Sequence, residues 1–209
     1  MTKKARDWKD LIIVQEKLDG SNCAVAKLNG EIIALTRSGY LANTSQYAQH
    51  HYFDEWVKGN ALRFDKLLNE GERVVGEWCL QAHGTRYKMP HEPFVVFDLM
   101  KGHDRIIYHD FLLRVLPFRF IIPRLIHIGH PFKLILAQKA IGISGHGAVD
   151  PVEGFVYRCE REGRVDFLCK WVRPDKIDGK YLPEYNETGQ QFWNKTTINS
   201  IITDQQFKS

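Results

Sequence analysis

A chain of 209 residues that is 44% hydrophobic and 12% aromatic can bury the core of one domain. The charged opening MTKKARDWKD gives no expectation of export, no run approaches the roughly 18 apolar residues of a membrane span, and Cys23, Cys79, Cys159 and Cys169 form no Cys-x-x-Cys pair. A reduced cytoplasmic protein is expected, without zinc ribbon, disulfide scaffold or membrane partner. Net charge is +4 with nine histidines, too mild to identify a nucleic-acid partner by its total. The distribution is uneven: residues 111–149 hold no Asp or Glu, yet contain Arg114, Arg119, Arg124, Lys133, Lys139, His127, His130 and His146. Either these build a positive face for a polyanion, or their acids lie elsewhere in space.

In chain order, the apolar run LIIV (11–14) reads as a buried strand and leads into QEKLDGSN (15–22), where lysine and aspartate flank one residue. Charges at a buried strand end are costly, so either the strand has surfaced there or the lysine has a task. NCAVAKL (22–28) and EIIALTR (31–37) flank Asn29-Gly30, the pair that supplies two positive-φ positions for a type I′ hairpin. Thr44 or Ser45 is expected to cap a helix through about Lys58, and ALRFDKLLNEG (61–71) to form a second that stops at Gly71. RVVGEW (73–78) and FVVFDLM (94–100) have strand composition. A helix is expected from about Asp110 until Pro117 breaks it, and another, KLILAQKAI, ends at Gly142. VEGFVYRC (152–159) and RVDFLCKWV (164–172) form a second hairpin around EREG; beyond Arg173 the composition turns polar and reads as a surface extension. Strands arriving in hairpins with helices between them predict an α+β fold of antiparallel sheets with flanking helices, and no Gly-rich phosphate loop is present.

A Lys-x-Asp-Gly quartet alone says little, since it arises by chance in roughly one chain of this length in twenty. Here KLDG (17–20) is followed in order by TRSG (36–39), VVGEW (74–78), FVVFD (94–98), VEGFV (152–156) and LCKWV (168–172). This series resembles the covalent nucleotidyltransferase superfamily of polynucleotide ligases and mRNA capping enzymes, most closely its ATP-dependent RNA ligase branch. The likeness covers residues 15 to 173, and GEWCLQAHGTRY (76–87) looks particularly like an RNA ligase. It implies an ATP-grasp-like nucleotidyltransferase domain over residues 1–173. Residues 174–209 would be a short C-terminal extension, too short for an OB domain.

The chemistry that the resemblance implies needs a lysine as nucleophile. At an ordinary pKa of about 10.4, the neutral amine costs roughly 4 to 5 kcal/mol near neutral pH, which burial or nearby cations must reduce. Lys17 is the expected attacking group for the α-phosphorus of ATP, with Gly20 letting the backbone turn closely and Asp19 helping to position the site. Phosphoryl transfer concentrates negative charge, and Lys170 on the last strand is the expected second catalytic residue, contacting the α-phosphate. The family pattern has two lysines one residue apart there; this chain has Leu168, Lys170 and Val172, which leaves the second place to another cation such as Arg173 or reduces activity. By the same likeness Glu77 binds ribose, Glu153 holds Mg²⁺ or Mn²⁺, often through water, and Arg37 reaches the nucleotide or its phosphate. Phe97 is the expected ring stacking on adenine, with Phe94 as the alternative, and Asn22 contacts the product end or braces the lysine loop. Glu16 completes the nucleotide-binding set. Cys79 and His83 have a metal-compatible spacing but lack further ligands, so no zinc site is expected.

The implied activity is RNA ligation: transfer of AMP from ATP to Lys17, then to an RNA 5′-phosphate, then attack by a 3′-hydroxyl, with magnesium assisting. RNA ends, including nicked duplexes, are the expected partners, and RNA repair is the expected setting. ATP is preferred to NAD because no domain precedes the lysine strand to hold a nicotinamide half. The competing readings are a minimal DNA ligase, a capping-type guanylyltransferase, and a non-catalytic RNA-end binding module on the same scaffold.

Overall fold

The computed structural model describes residues 7–196. Strand β1 (Leu11–Lys17) is buried on both faces, which is why LIIV is continuously apolar rather than alternating. Ile13 joins the main core, while Ile12 and Val14 join a second cluster with Phe155 and Ala137. Strands β2 (Ser21–Leu28) and β3 (Glu31–Thr36) form the expected hairpin, with Asn29 at φ 53° and Gly30 at φ 78°. They are followed by helices α1 (Ala48–Gly59) and α2 (Ala61–Leu67), then β4 (Glu72–Trp78), β5 (Lys88–Met89), β6 (Phe94–Lys101) and β7 (Asp104–Arg105). Helix α3 (Tyr108–Val115) ends before Pro117; β8 (Leu125–Gly129) and α4 (Leu134–Ala140) lead to the hairpin of β9 (Gly154–Arg161) and β10 (Arg164–Val172), and β11 (Lys195–Thr196) comes last.

Two antiparallel sheets organise the chain, one of four strands in the order β10-β9-β1-β8 and one of five in the order β3-β2-β4-β6-β7. One face of the five-stranded sheet packs on α1 and α2 through Val25, Val74, Trp78, Phe94, Phe53 and Phe64. Within this core Phe53 lies 5.1 Å from both Trp78 and Phe94, ring centre to ring centre. The opposite face carries Asn22, Ala24, Val75 and Glu77 and is left for a cleft. The link Leu18-Asp19-Gly20 carries the chain from the end of β1 in one sheet to the start of β2 in the other, so the KLDG motif sits where the sheets meet.

Several sequence expectations need correction. Helix α1 starts at Ala48 after Tyr47 without a side-chain cap; the Ser45 hydroxyl instead binds Nδ1 of His50 at 2.7 Å and accepts from the Tyr47 N–H. Helix α2 ends at Leu67, and Gly71, at φ 78°, turns the chain into β4 while donating its N–H to the Lys27 carbonyl. Strand β8, not expected from sequence, pairs with β1 as an edge strand. In the acid-free stretch, Arg114 is held by Glu72 and Arg124 by Glu16, so for these two the acids lie elsewhere in space.

The segment after Arg173 folds back along residues 79–89. Tyr181 N–H donates to His83, Ala82 to Phe192 and Asn194 to Leu80. The buried Asn194 side chain accepts from Tyr87 N–H and donates to the Cys79 carbonyl, and β11 adds a parallel pairing with β5. Residues 197–209 of the expected extension, and 1–6 of the expected domain, lie outside the described residues. Among the described residues no helix is long and apolar enough to cross a membrane.

Candidate active site

The cleft between the sheets has a volume of about 620 Å³, within the range of small-molecule sites, and every residue expected from sequence lines it: Glu16, Lys17, Asp19, Asn22, Arg37, Glu77, Phe97, Glu153 and Lys170. Two glycines let the backbone close around it. A Cβ on Gly20 would lie 2.5 Å from the Trp78 carbonyl oxygen, and one on Gly154, the partner of Lys17 across β9, would collide with the Trp171 carbonyl oxygen. Neither has a positive φ, so both are required by close approach rather than by turn geometry.

Lys17 points into the cleft. Its Nζ donates to Glu153 Oε2 at 2.6 Å and to the Leu18 carbonyl at 3.1 Å, and 19% of the side chain stays exposed. The second oxygen of Glu153 accepts from Lys176 Nζ at 2.6 Å, and Lys176 also donates to Asp19 Oδ1 and Asp178 Oδ1. Burial opposes the charge on Lys176, but hydrogen bonds to Asp178 and Glu153 outweigh it and hold the amine above the ordinary lysine value. Asp19 is further fixed by the Gly84 N–H at 2.8 Å, where a Cβ on Gly84 would collide with that carboxylate. Glu77, opposite Asn22 across the β2–β4 ladder, accepts the Gly20 N–H at 3.0 Å. Burial pushes its carboxyl up to about 7, although the Lys17 charge and the Gly20 hydrogen bond pull the other way.

Phe97 owes its orientation to a break in the ladder. Val75 pairs with Asp98 and Gly76 with Val96, which leaves Phe97 as the extra residue of a bulge, turned into the cleft. Phe94 is fully buried among Phe53, Trp56, Phe64 and Trp78, so the structure removes it as a stacking candidate. Glu16 is the least available of the expected set. Its carboxylate faces away from Lys17 and is held by Arg124 Nε at 3.1 Å, Ser144 Oγ at 2.5 Å and Gly145 N–H at 2.9 Å. Arg37 and Lys170 have no ion-pair or hydrogen-bond partner among the described residues.

A match to the RNA ligase family model extends over residues 10–172. This chain belongs to the RNA ligase family. The RNA ligase domain adopts a fold similar to an archaeal ATP-dependent RNA ligase, with TM-score 0.52 and 18% identity over 79% of this chain and 43% of that one. A Naegleria gruberi RNA ligase variant carrying ATP and Mn gives TM-score 0.55 and 15% identity over 78% of this chain and 50% of that one. The chain therefore spans half or less of the length of these relatives. A further short likeness, 50% identity over 32 residues, is to an uncharacterized Methanocaldococcus jannaschii protein, of which it covers 8%.

Sequence motifs of the RNA ligase kind did not point to Lys176. The Arg173 guanidinium, offered as the second cation of the last motif, pairs with Asp175 at 2.8 Å, and Lys176 lines the cleft. A signal was present, because Lys176-Ile177-Asp178-Gly179 repeats the Lys-x-Asp-Gly pattern of residues 17–20. His83, which the sequence offers only beside Cys79 as a metal ligand, lines the cleft with its Nε2 hydrogen-bonded to Gln49 Oε1 at 3.2 Å, and burial pushes its imidazole below the usual value. Among the described residues no three His, Cys, Asp or Glu side chains converge into a metal cage. Glu153 and Asp19 are oxygen donors beside the two lysine amines, and one or two such carboxylates suffice for magnesium or manganese held mainly by a nucleotide's phosphates and water.

Proposed function

We propose that this chain is an ATP-dependent RNA ligase that works through a lysyl-AMP intermediate, with residues 1–173 as the adenylyltransferase domain and residues 174–209 as an extension that lends it Lys176. The observation that carries this reading is the Lys17–Glu153–Lys176 chain of ion pairs at one end of a cleft walled by Phe97 and Glu77. Lys17 attacks the α-phosphorus of ATP: an Nζ–P bond forms, the bond to pyrophosphate breaks, and the nitrogen sheds its protons. In the arrangement seen, Lys17 is ion-paired with Glu153, so attack requires this pair to open. Lys176 keeps Glu153 and Asp19 anchored while Lys17 leaves.

Lys170, Arg37 and Lys176 supply positive charge to the transferring phosphate, and Phe97 stacks on adenine while Glu77 receives a ribose hydroxyl. A divalent ion, Mg²⁺ or Mn²⁺, would add Lewis-acid neutralisation of phosphate charge, with Glu153 as its water-mediated protein contact. An oxygen of the RNA 5′-phosphate then displaces Lys17 from AMP, and a 3′-hydroxyl attacks the activated end, releasing AMP and forming the phosphodiester.

Incubation with α-labelled ATP and magnesium tests the reading. A covalent AMP adduct is expected on the wild type and none on Lys17→Ala, while the variant still seals a pre-adenylylated strand in part. A GMP adduct without an AMP adduct would transfer the chain to the capping-type activity. An unlabelled protein that binds RNA would make it a binding module.

A further inference from the structure

Beyond Phe97 the cleft continues into a second hollow of about 630 Å³ on the open face of the five-stranded sheet, with Asn22, Arg37 and Phe97 shared between the two. Its floor is low, made by Ala24 and Val75, which face each other across the β2–β4 ladder. Arg37 stands beyond the end of β3, near the Asn22–Glu77 level, and Arg73 stands at the Ala26 level of β4, four residues from Glu77 and so about 13 Å along the strand. Arg73 meets only the Met100 sulfur, at 3.6 Å, and has no carboxylate partner among the described residues. Asp98, in the wall, is buried and already held by Arg105 and Arg158. His103 and Arg105 close the far side.

We infer that this hollow carries the phosphodiester backbone of the strand being sealed, with Arg73 and His103 binding phosphates outside the nucleotide site. The inference rests on the ligase reading of the cleft. Two unneutralised guanidinium groups at opposite ends of a shallow floor suit an anion that repeats its charge along the sheet, rather than one phosphate group. The hollow also opens directly onto the place where an activated 5′ end would lie.

The test uses the full chain and a short fluorescent 5′-phosphorylated RNA, titrated by anisotropy at several salt concentrations, beside self-labelling with ATP. Arg73→Ala and His103→Ala should label at the wild-type rate and bind RNA several-fold more weakly. For Arg73→Ala the plot of log affinity against log salt should flatten by ~0.7 for the phosphate no longer neutralised. Arg73→Lys should restore the slope, which also separates a missing charge from a damaged fold. Unchanged affinity and slope would overturn the inference. So would an Arg73→Ala protein with a raised KM for ATP in labelling, because the hollow would then serve the triphosphate tail. A wild type that takes no label counts against the ligase reading itself, whereas weaker RNA binding by Arg73→Ala would still support the track.

Discussion

Lys17 and Lys176 donate to different oxygens of Glu153, each at 2.6 Å, although Lys17 belongs to β1 near the start of the chain and Lys176 follows β10. Removing the second amine leaves Glu153 free to hold Lys17 alone and takes a positive charge from the phosphate site. Lys176→Ala should slow AMP-adduct formation on the order of 100-fold, and Lys176→Arg should recover part of it. Single-turnover labelling rates measure both.

Phe97 and Phe94 separate stacking from packing. Phe97→Ala should raise the KM for ATP by the equivalent of roughly 1 to 3 kcal/mol of stacking and leave the unfolding midpoint almost unchanged. Phe94→Ala, which empties the centre of the aromatic core, should destabilise the fold by about 3 to 5 kcal/mol. Denaturant unfolding next to ATP titration distinguishes the two.

Glu77 carries a stability cost that depends on pH. Its carboxyl is pushed up to about 7 in the fold, above its unfolded value, so its contribution is complete in acid and is lost as pH rises through 7. Glu77→Gln keeps an oxygen for the Gly20 N–H and should be more stable than the wild type at pH 8 by about 1 to 3 kcal/mol, discounted because the side chain is partly open to the cleft. The difference should vanish near pH 4. The same substitution should weaken nucleotide binding, so thermal melts over pH must be taken without ATP.

His146 behaves in the opposite sense. It is buried, accepts the Arg124 N–H at Nε2 and bonds His91 through Nδ1, an arrangement that needs a neutral ring. Burial pushes its imidazole down to about 4. Stability is therefore present above the unfolded value near 6.5 and lost as pH falls toward 4. His146→Gln should flatten the melting temperature between pH 7 and 5, as followed by circular dichroism.

What sequence revealed was local in origin. Asn29-Gly30 fixes its hairpin through two backbone dihedrals, and the strand-end motifs carry their own turn and close-approach glycines. The cleft residues could be named because their motifs recur in a recognisable order. What stayed hidden depends on residues distant along the chain. Arg124 and Glu16 meet across 108 positions, and β8 is held as a strand by its pairing with β1 rather than by its own composition. Helix α1 starts at Ala48 rather than at Ser45 because the Ser45 hydroxyl bonds to the His50 imidazole instead of capping the helix. Lys176 was hidden by composition: polar surroundings signal a surface tail, yet Asp19, Glu153 and Asp178 draw its amine inside until only 5% of the side chain is exposed.

The return of the chain along residues 79–89 has a practical side for anyone preparing fragments. A clone stopped where the family motifs stop, at Val172, would omit the buried Asn194 that bridges Cys79 and Tyr87, along with the amine that shares Glu153. Such a truncated product would keep every recognisable signature and still be expected to charge poorly with nucleotide, so its silence would say nothing about the intact polypeptide.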